Sequence, residues 1–392
     1  MRSGELAIIG GKLFTPFETI DRGTVTIKNG KIVSVGHEDE VSVPSGAEVI
    51  DATNKIVAPG FINIHIIGSR GVDTMDATYD AINEVSKYIA GGGETSFVPS
   101  TVSAPQERIV AVGRAVKSAV EKGTDGAEVL GLHLEGPFIN PKRKGSHNAE
   151  YIRPPSIEEL DEAVREAGGY VKLVTIAPEL EGALDLIREL KKQGIVSTVG
   201  HSDATYGEMM AGVKAGLSHA THMFDGMRPF HHREPGVVGA ILTLDEMTAD
   251  VIADGVHVHP AAIKILIRIK GTDKVALITD ATKPAGMPDG MYELGGLKVI
   301  VKGGVCRTEA GNLAGSIIRL NDAVRNMVDL VGLSLQEAIK MATINPAKVI
   351  GVDGRKGSLE PGKDAGIVIF DNNMNVYKTI VGGKIVYDRC KP

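Results

Sequence analysis

Between Pro59 and about Lys356 the chain alternates eight short strand-forming runs with helix-like segments, and few architectures accommodate that alternation over about 300 residues. The runs are 60–67 (GFINIHII), 95–102 (TSFVPSTV), 128–135 (EVLGLHLE), 171–177 (VKLVTIA), 195–201 (IVSTVGH), 218–223 (SHATHM), 248–254 (TADVIAD) and 275–280 (VALITD). Between them lie segments such as 105–122, apolar at Ile109, Val112, Val116 and Val120, and 180–193, apolar at Leu184, Ile187 and Leu190. That spacing puts the apolar residues on one helical face. Eight βα units predict an α/β fold, a (β/α)8 barrel of the TIM type. The two ends have another texture. Residues 7–15, 24–36, 367–371 and 376–387 are β-branched runs broken by Asn-Gly or Gly-Gly, which read as antiparallel hairpins. Neither end supplies a whole sheet. The expectation is a small β-sandwich domain built from 1–58 and 357–392, carrying the catalytic barrel 59–356 as an insertion.

Composition excludes several classes. Hydrophobic residues make up 43% and charged residues 23%, with 43 basic and 49 acidic side chains and no long single-sign run, so neither a disordered chain nor a basic nucleic-acid footprint is present. The longest apolar uncharged stretch, 56–69, falls short of the ~18 residues of a membrane span and contains Pro59 and His65. Met1 to Glu5 run directly into a strand-like segment, and a cytoplasmic location is expected. Cys306 and Cys390 have no partner at disulfide-framework or metal-ligand spacing and read as incidental. Gly91-Gly92-Gly93 reads as a helix-to-strand turn, not a phosphate loop.

Barrel active sites gather at the carboxyl ends of the strands. His65 stands near the end of the first run, Glu135 ends the third, His201 the fifth, His222 falls in the sixth and Asp280 ends the eighth. One such histidine is ordinary. Five acidic or imidazole groups at one barrel mouth are costly to bury without a compensating cation, and a divalent metal supplies it. Glu135, His201 and His222 offer one oxygen and two nitrogens, a set suited to Zn²⁺ with a position left for water. A metal there acidifies water toward ~7, and Asp280, not needed as a ligand, can act as general acid/base. The implied reaction is hydrolysis.

Pro59-Gly60-Phe61-Ile62-Asn63-Ile64-His65 after a β segment, with later barrel histidines and a late Asp, resembles the amidohydrolase superfamily. Narrower motifs follow in order: His133-Leu134-Glu135-Gly136-Pro137-Phe138, Lys144-Gly145-Ser146-His147-Asn148, Gly200-His201-Ser202, Thr221-His222-Met223-Phe224, His232-Arg233-Glu234-Pro235-Gly236, Ala253-Asp254-Gly255-Val256-His257, Thr279-Asp280-Ala281 and Leu313-Ala314-Gly315-Ser316. Together they resemble the N-acetylglucosamine-6-phosphate deacetylases within that superfamily, across essentially the whole chain. The resemblance implies that Glu135, His201 and His222 hold one divalent metal per subunit, Zn first, with Fe, Co or Mn as alternatives. Asp280 would be the general acid/base, and His147 would stabilise the oxyanion and contact the substrate with His257. Ser146, Asp225 and Gly226 would line the substrate site, Arg233 would meet the 6-phosphate, and the backbone of Leu313, Ala314 and Gly315 would close the pocket. It also implies a homodimer acting on an amino-sugar phosphate.

Three positions depart from the pattern. Many superfamily members carry His-x-His on the first strand, where this chain has His65-Ile66-Ile67, so a single metal is expected with His65 at most a weak second-site ligand. Asn63 stands where Asp is common. Asp225-Gly226 replaces the usual Asn-Ala, and an ionised carboxylate repels phosphate where an amide can donate to it. Lys283 is a candidate compensating charge, against its reading as a solvated lysine. His231 and His232 read as surface histidines. The rival functions are a sister amidohydrolase acting on another N-acyl sugar, an N-acyl amino acid or a cyclic amide, and a catalytically silent amino-sugar-phosphate binder.

Overall fold

In the computed structural model, which describes residues 5–15 and 17–390, the two ends of the chain meet in one sheet. Residues 1–4, 16, 391 and 392 of the expected terminal domain lie outside the described residues. The first part gives β1 (Glu5–Phe14), β2 (Thr19–Lys28), β3 (Lys31–His37), β4 (Glu48–Asp51) and β5 (Ile56–Pro59); the last gives β20 (Ile367–Phe370), β21 (Val376–Val381) and β22 (Lys384–Asp388). They are hydrogen-bonded in the order β22-β21-β20-β5-β1-β2-β3, with β4 beside β1. Asn29 and Gly30 turn between β2 and β3 with φ of 52° and 76°, as a tight hairpin requires. Ile367 to Phe370 pair antiparallel with Pro59 to Ile56, so the last strands complete an edge left by the first. Leu6, Ile8, Leu13, Val25, Ile27, Ile32, Val57, Ile367, Ile369 and Ile380 form a separate apolar core there.

The middle of the chain forms parallel strands: β6 (Phe61–Ile66), β9 (Glu94–Pro99), β10 (Glu128–Val129), β11 (Leu132–Leu134), β12 (Val171–Ile176), β13 (Val196–Val199), β14 (His219–Ala220), β15 (Thr248–Ile252) and β16 (Val275–Ile278). A two-stranded ribbon, β7 (Gly68–Ser69) and β8 (Val72–Asp73), follows the first of them. β10, β9 and β6 form one parallel set, and β11 to β16 pair in sequence order. A bridge from Ser100 to His133 links the sets. At the other limit, the Asp280 N–H donates to the His65 carbonyl and the Ile67 N–H to the Ala281 carbonyl, which brings the end of β16 back beside β6. All eight expected runs therefore contain strands, the third divided at Leu130-Gly131.

β6, β9 and β16 are buried along their whole length, and β10, β12, β13 and β15 at all but one residue each, as expected of a parallel sheet covered by helices. Helices Gln106–Lys122 and Ala183–Gln193 occupy the expected segments; Ile109, Val112, Val116, Ile187 and Leu190 are buried, while Val120 and Leu184 are half-buried. Residues 91–93 form the turn between helix Tyr79–Ala90 and β9. Sequence reasoning left one element out. β17 (Gly290–Leu294), β18 (Leu297–Lys302) and β19 (Val305–Thr308) form an antiparallel sheet after β16, and the chain returns from it through 312–315 to the strand ends. Among the described residues no helix is long and apolar enough to cross a membrane.

Candidate active site

The carboxyl ends of the parallel strands open into a cavity of ≈ 470 Å³, whose lining includes Glu135, His147, His201, His222, Asp225, His257 and Asp280. A larger cleft of ≈ 930 Å³ lies over the hairpin turns of the terminal sheet, but no His, Asp or Cys lines it. His201 and His222 stand two residues beyond β13 and β14, and Asp280 two beyond β16. All three have a left-handed backbone, φ 49°, 35° and 46°. Non-glycine residues adopt that conformation at an energetic cost and persist there only where their surroundings hold them. Each therefore turns its side chain off the strand end into the mouth.

The Glu135 carboxylate is the hub. Its Oε1 lies 2.8 Å from His222 Nε2 and 3.2 Å from His201 Nε2, and its Oε2 lies 3.2 Å from His65 Nε2 and 3.7 Å from His147 Nε2. Ligand atoms within 4.8 Å of one another group as Glu135 with His147 and His201, and as His65 with Glu135 and Asp280. The outward nitrogens decide which imidazoles can be ligands. His201 Nδ1 is 2.8 Å from the Arg143 carbonyl and His222 Nδ1 is 3.1 Å from the Asp225 carbonyl. A carbonyl only accepts, so each Nδ1 carries the proton and each Nε2 turns a lone pair inward. His147 is reversed. The Ser103 backbone N–H donates to its Nδ1 at 3.0 Å, so its Nε2 bears the proton and is a donor. This separates His147 from His201 and His222 and gives it the polarity of a hydrogen-bond donor into the mouth.

Lone pairs on His201 and His222 facing a buried carboxylate require a cation between them, a proton or a metal. Without a metal the proton goes to His222. Its burial opposes charging, but the hydrogen bond and charge of Glu135, helped by Asp280 and Asp225, bring its pKa up to about 10. His201 cannot charge as well, and burial takes it down to about 4. Burial opposes the charge on Glu135 too, yet the surrounding imidazoles hold it well below the usual carboxylate range. Two further carboxylate oxygens, Asp280 Oδ1 and Asp225 Oδ2, are buried without a hydrogen-bond partner. A set of two inward lone pairs, a carboxylate and an unpartnered Asp280 oxygen fits a divalent cation of the borderline type. Burial raises the pKa of Asp280, against the pull of His65, and raises that of Asp225 to about 6.

The other sequence-derived residues divide into those that meet and those that do not. Ser146, Gly226, His257, Leu313 and Gly315 line the same cavity, and Ala314 is buried behind its two neighbours. His257 Nδ1 is held 2.7 Å from Asp254. Arg233 lies outside the lining; it is exposed, and its guanidinium sits 2.9 Å from His232 Nε2. His231 and His232 are exposed, with ring centroids 4.4 Å apart. Lys283 is neither the compensating charge for Asp225 nor a solvated lysine: its largely covered ammonium pairs with Asp73 at 3.4 Å and Asp76 at 3.2 Å. Asn63 points under the strands, donating to Glu94 at 3.0 Å and Thr279 at 2.8 Å. Ile67 lines the cavity. Sequence reasoning missed the cations that do line it, Lys142, Arg143 and Lys144, although the Lys-Arg-Lys run directly before Gly145 was a visible signal. Arg143 pairs with Asp203 at 2.9 Å, which fixes the loop whose carbonyl holds His201.

This fold and donor set define a metal-dependent hydrolase, and the model of the Amidohydrolase family matches residues 56–386; the chain belongs to that family. Within that class it falls among the N-acetylated amino-sugar 6-phosphate deacetylases. It is 40% identical over 378 residues to the N-acetylglucosamine-6-phosphate deacetylase of Bacillus subtilis (strain 168), covering 96% of this chain and 95% of that protein. It is also 40% identical over 374 residues to the N-acetylgalactosamine-6-phosphate deacetylase of Escherichia coli O157:H7, covering 95% and 97%. Among solved structures, an N-acetyl-D-glucosamine-6-phosphate deacetylase mutant of Mycobacterium smegmatis in complex with N-acetyl-D-glucosamine-6-phosphate superposes with a TM-score of 0.91 at 32% identity, covering 97% of this chain and 99% of that one. Enamidase, 15% identical with a TM-score of 0.65, shares the fold.

Proposed function

We propose that this chain removes acetate from N-acetyl-D-glucosamine 6-phosphate, leaving D-glucosamine 6-phosphate, as a step in amino-sugar catabolism. The observation that carries the reading is the pairing of inward Nε2 lone pairs on His201 and His222 with Glu135, beside a buried Asp280 whose Oδ1 has no hydrogen-bond partner and whose pKa burial raises. Glu135, His201 and His222 would hold one divalent metal, Zn²⁺ for preference, with Fe, Co or Mn able to substitute. Bound there, the cation supplies acidified water and polarises an amide carbonyl. Asp280 takes the proton of the attacking water and passes it to the departing amine, a transfer helped by a pKa already raised by burial. His147 donates its Nε2 proton to the developing oxyanion. His257, oriented by Asp254, contacts the sugar and amide, and Leu313 to Gly315 close over it.

The 6-phosphate belongs at the outer end, near Ser146, Asp225 and Gly226. Arg233 is assigned to it from the loop that continues beyond Asp225, with Lys142 to Lys144 adding positive potential along the rim. The architecture proposed is a (β/α)8 barrel over 59–356 and a small β-sandwich domain from 1–58 and 357–392. A cytoplasmic homodimer completes the proposal. Free Cys306 and Cys390 fit a reducing compartment.

A second reading concerns one hydroxyl. Equal identity to a galactosamine-type enzyme makes the 4-epimer a competing substrate. Acetate release is to be measured with metal-stripped protein, Zn²⁺ added back in steps, on N-acetylglucosamine 6-phosphate, N-acetylgalactosamine 6-phosphate and unphosphorylated N-acetylglucosamine. Release that saturates near one equivalent of metal and is fastest on the first supports the proposal. Preference for the second moves the assignment to the epimer, preference for the third means that Asp225 redirects specificity, and no release from any, with metal bound, removes the deacetylase reading.

A further inference from the structure

Behind the catalytic mouth lies a second, fully buried polar cluster that no step of the reaction uses: Thr221, His219 and Asp250. Asp250, in β15, faces two donors and one imidazole nitrogen. The His222 backbone N–H reaches its Oδ1 at 2.5 Å, His219 Nε2 lies 3.0 Å from its Oδ2, and the Thr221 hydroxyl sits 3.4 and 3.5 Å from its two oxygens. His219 is anchored on its other side, 2.7 Å from the Thr248 hydroxyl. A carboxylate only accepts, so the one Thr221 hydroxyl proton points toward Asp250. The Thr221 oxygen then offers its lone pairs to His65 Nδ1, 2.8 Å away. His65 must carry its proton on Nδ1 and turn Nε2 toward Glu135 and Asp280, at 3.2 and 3.5 Å.

Asp250 thus reaches two imidazoles of the centre by different routes. It grips the backbone amide of His222, whose φ of 35° is a conformation that needs holding. Through Thr221 it sets the tautomer and ring orientation of His65. Outer groups of this kind fix ligand geometry and change metal affinity when removed. We propose that Asp250 and Thr221 are positioning residues of the metal centre, tying the left-handed turn at His222 and the Nδ1 proton of His65 to one buried carboxylate. The inference rests on the reading of Glu135, His201 and His222 as a divalent-cation site.

The test measures Zn²⁺ affinity of the full chain by competition with a chromophoric chelator, beside the thermal midpoint of the metal-free protein. Thr221→Val keeps the side-chain shape and removes the hydroxyl; Thr221→Ser keeps the hydroxyl. The expected result is a loss of Zn²⁺ affinity of about 10- to 100-fold for Thr221→Val, recovery to within about threefold in Thr221→Ser, and midpoints that differ little from wild type. Asp250→Asn, which retains an acceptor for His222 but presents an amide N–H toward Thr221 and His219, is expected to weaken Zn²⁺ binding as well, and it serves where Thr221→Val does not fold. Wild-type affinity in both variants, or loss in Thr221→Val that Thr221→Ser does not recover, overturns the inference. A wild-type protein that binds no Zn²⁺ fails the cation-site reading itself and the inference with it.

Discussion

At the scale of single residues, the centre is organised by which nitrogen of each imidazole holds its proton. His201 and His222 donate outward to the carbonyls of Arg143 and Asp225, and His147 accepts outward from Ser103, so chemically identical side chains take the opposite polarities that the proposed ligand and donor roles need. Asp280, with an unpartnered buried oxygen, is the proton carrier in the proposed mechanism. Asp280→Asn should lower turnover by about 10²- to 10⁴-fold while KM changes by no more than a few-fold, as steady-state acetate release will show; near-full turnover would remove Asp280 from its role. Asp225→Asn replaces a carboxylate by an amide beside the expected phosphate site. It should lower KM for the phosphorylated sugar several-fold and leave the unphosphorylated one nearly unchanged, since like-charge repulsion acts on the phosphate alone. Equal effects on both sugars would place the phosphate elsewhere.

At the scale of elements, the site depends on strand ends that are held from neighbouring segments. The Ser316 N–H donates to the Asp280 carbonyl at 2.8 Å, so the return from β19 is stitched to the end of β16. Gly315 makes this possible: its φ is +60°, and a Cβ there would meet Thr282 Cγ2 at 2.5 Å and the Asp280 carbonyl at 2.6 Å. Gly315→Ala should therefore displace Asp280 and cost on the order of 10²-fold in turnover with Zn²⁺ affinity little changed; an alanine variant with normal kinetics would refute the coupling. Below the strands, Glu94 accepts from Asn63 and from the Leu320 N–H, joining β9 to β6 and to helix Leu320–Asn326. Burial lifts its pKa from 4.5 to about 7, so between those values the native state holds a proton that the unfolded chain has lost. Stability from this group is then fully present below pH 4.5 and declines as pH rises through about 7, by on the order of 3 kcal/mol. Denaturant unfolding between pH 5 and 8 should show this slope, and Glu94→Gln should flatten it.

The same scale shows what a sequence can and cannot convey. The eight runs that hold the parallel strands are legible because they are buried almost throughout and so carry few charges, and the proposed ligands are legible because they fall at the ends of those runs. The β17 to β19 sheet was readable in principle: Leu297–Lys302 alternates buried and exposed residues between Gly295-Gly296 and Gly303-Gly304. Tautomers, and the choice of Lys142 to Lys144 over Arg233 as lining cations, were not readable, because both depend on contacts between segments about 40 to 60 residues or more apart, such as Ser103 with His147 and Arg143 with His201 and Asp203.

At the scale of the whole molecule, the chain closes on itself: β20 pairs with β5 across the entire catalytic segment, and Phe370 packs with Phe61 at 6.2 Å between ring centroids. Lys31 and Arg355 both reach Asp364, tying the first hairpin to the approach of the last strands. Ending the chain at Gly366 should therefore bare the β5 edge and the Val57 side of the terminal core. Insoluble expression, or loss of a single cooperative unfolding transition, is the expected outcome; a soluble truncated protein with intact Zn²⁺ binding would show that the last strands are dispensable. The pairing also sets a clock on biosynthesis. At ribosomal rates of about 5 to 20 residues per second, the roughly 300 residues between Pro59 and Ile367 take about 15 to 60 s to make. For that interval the newborn amino-terminal hairpins wait with one strand edge unclaimed, and a ribosome that stalls anywhere in between releases a product still carrying it, distinguishable by that edge from every finished copy.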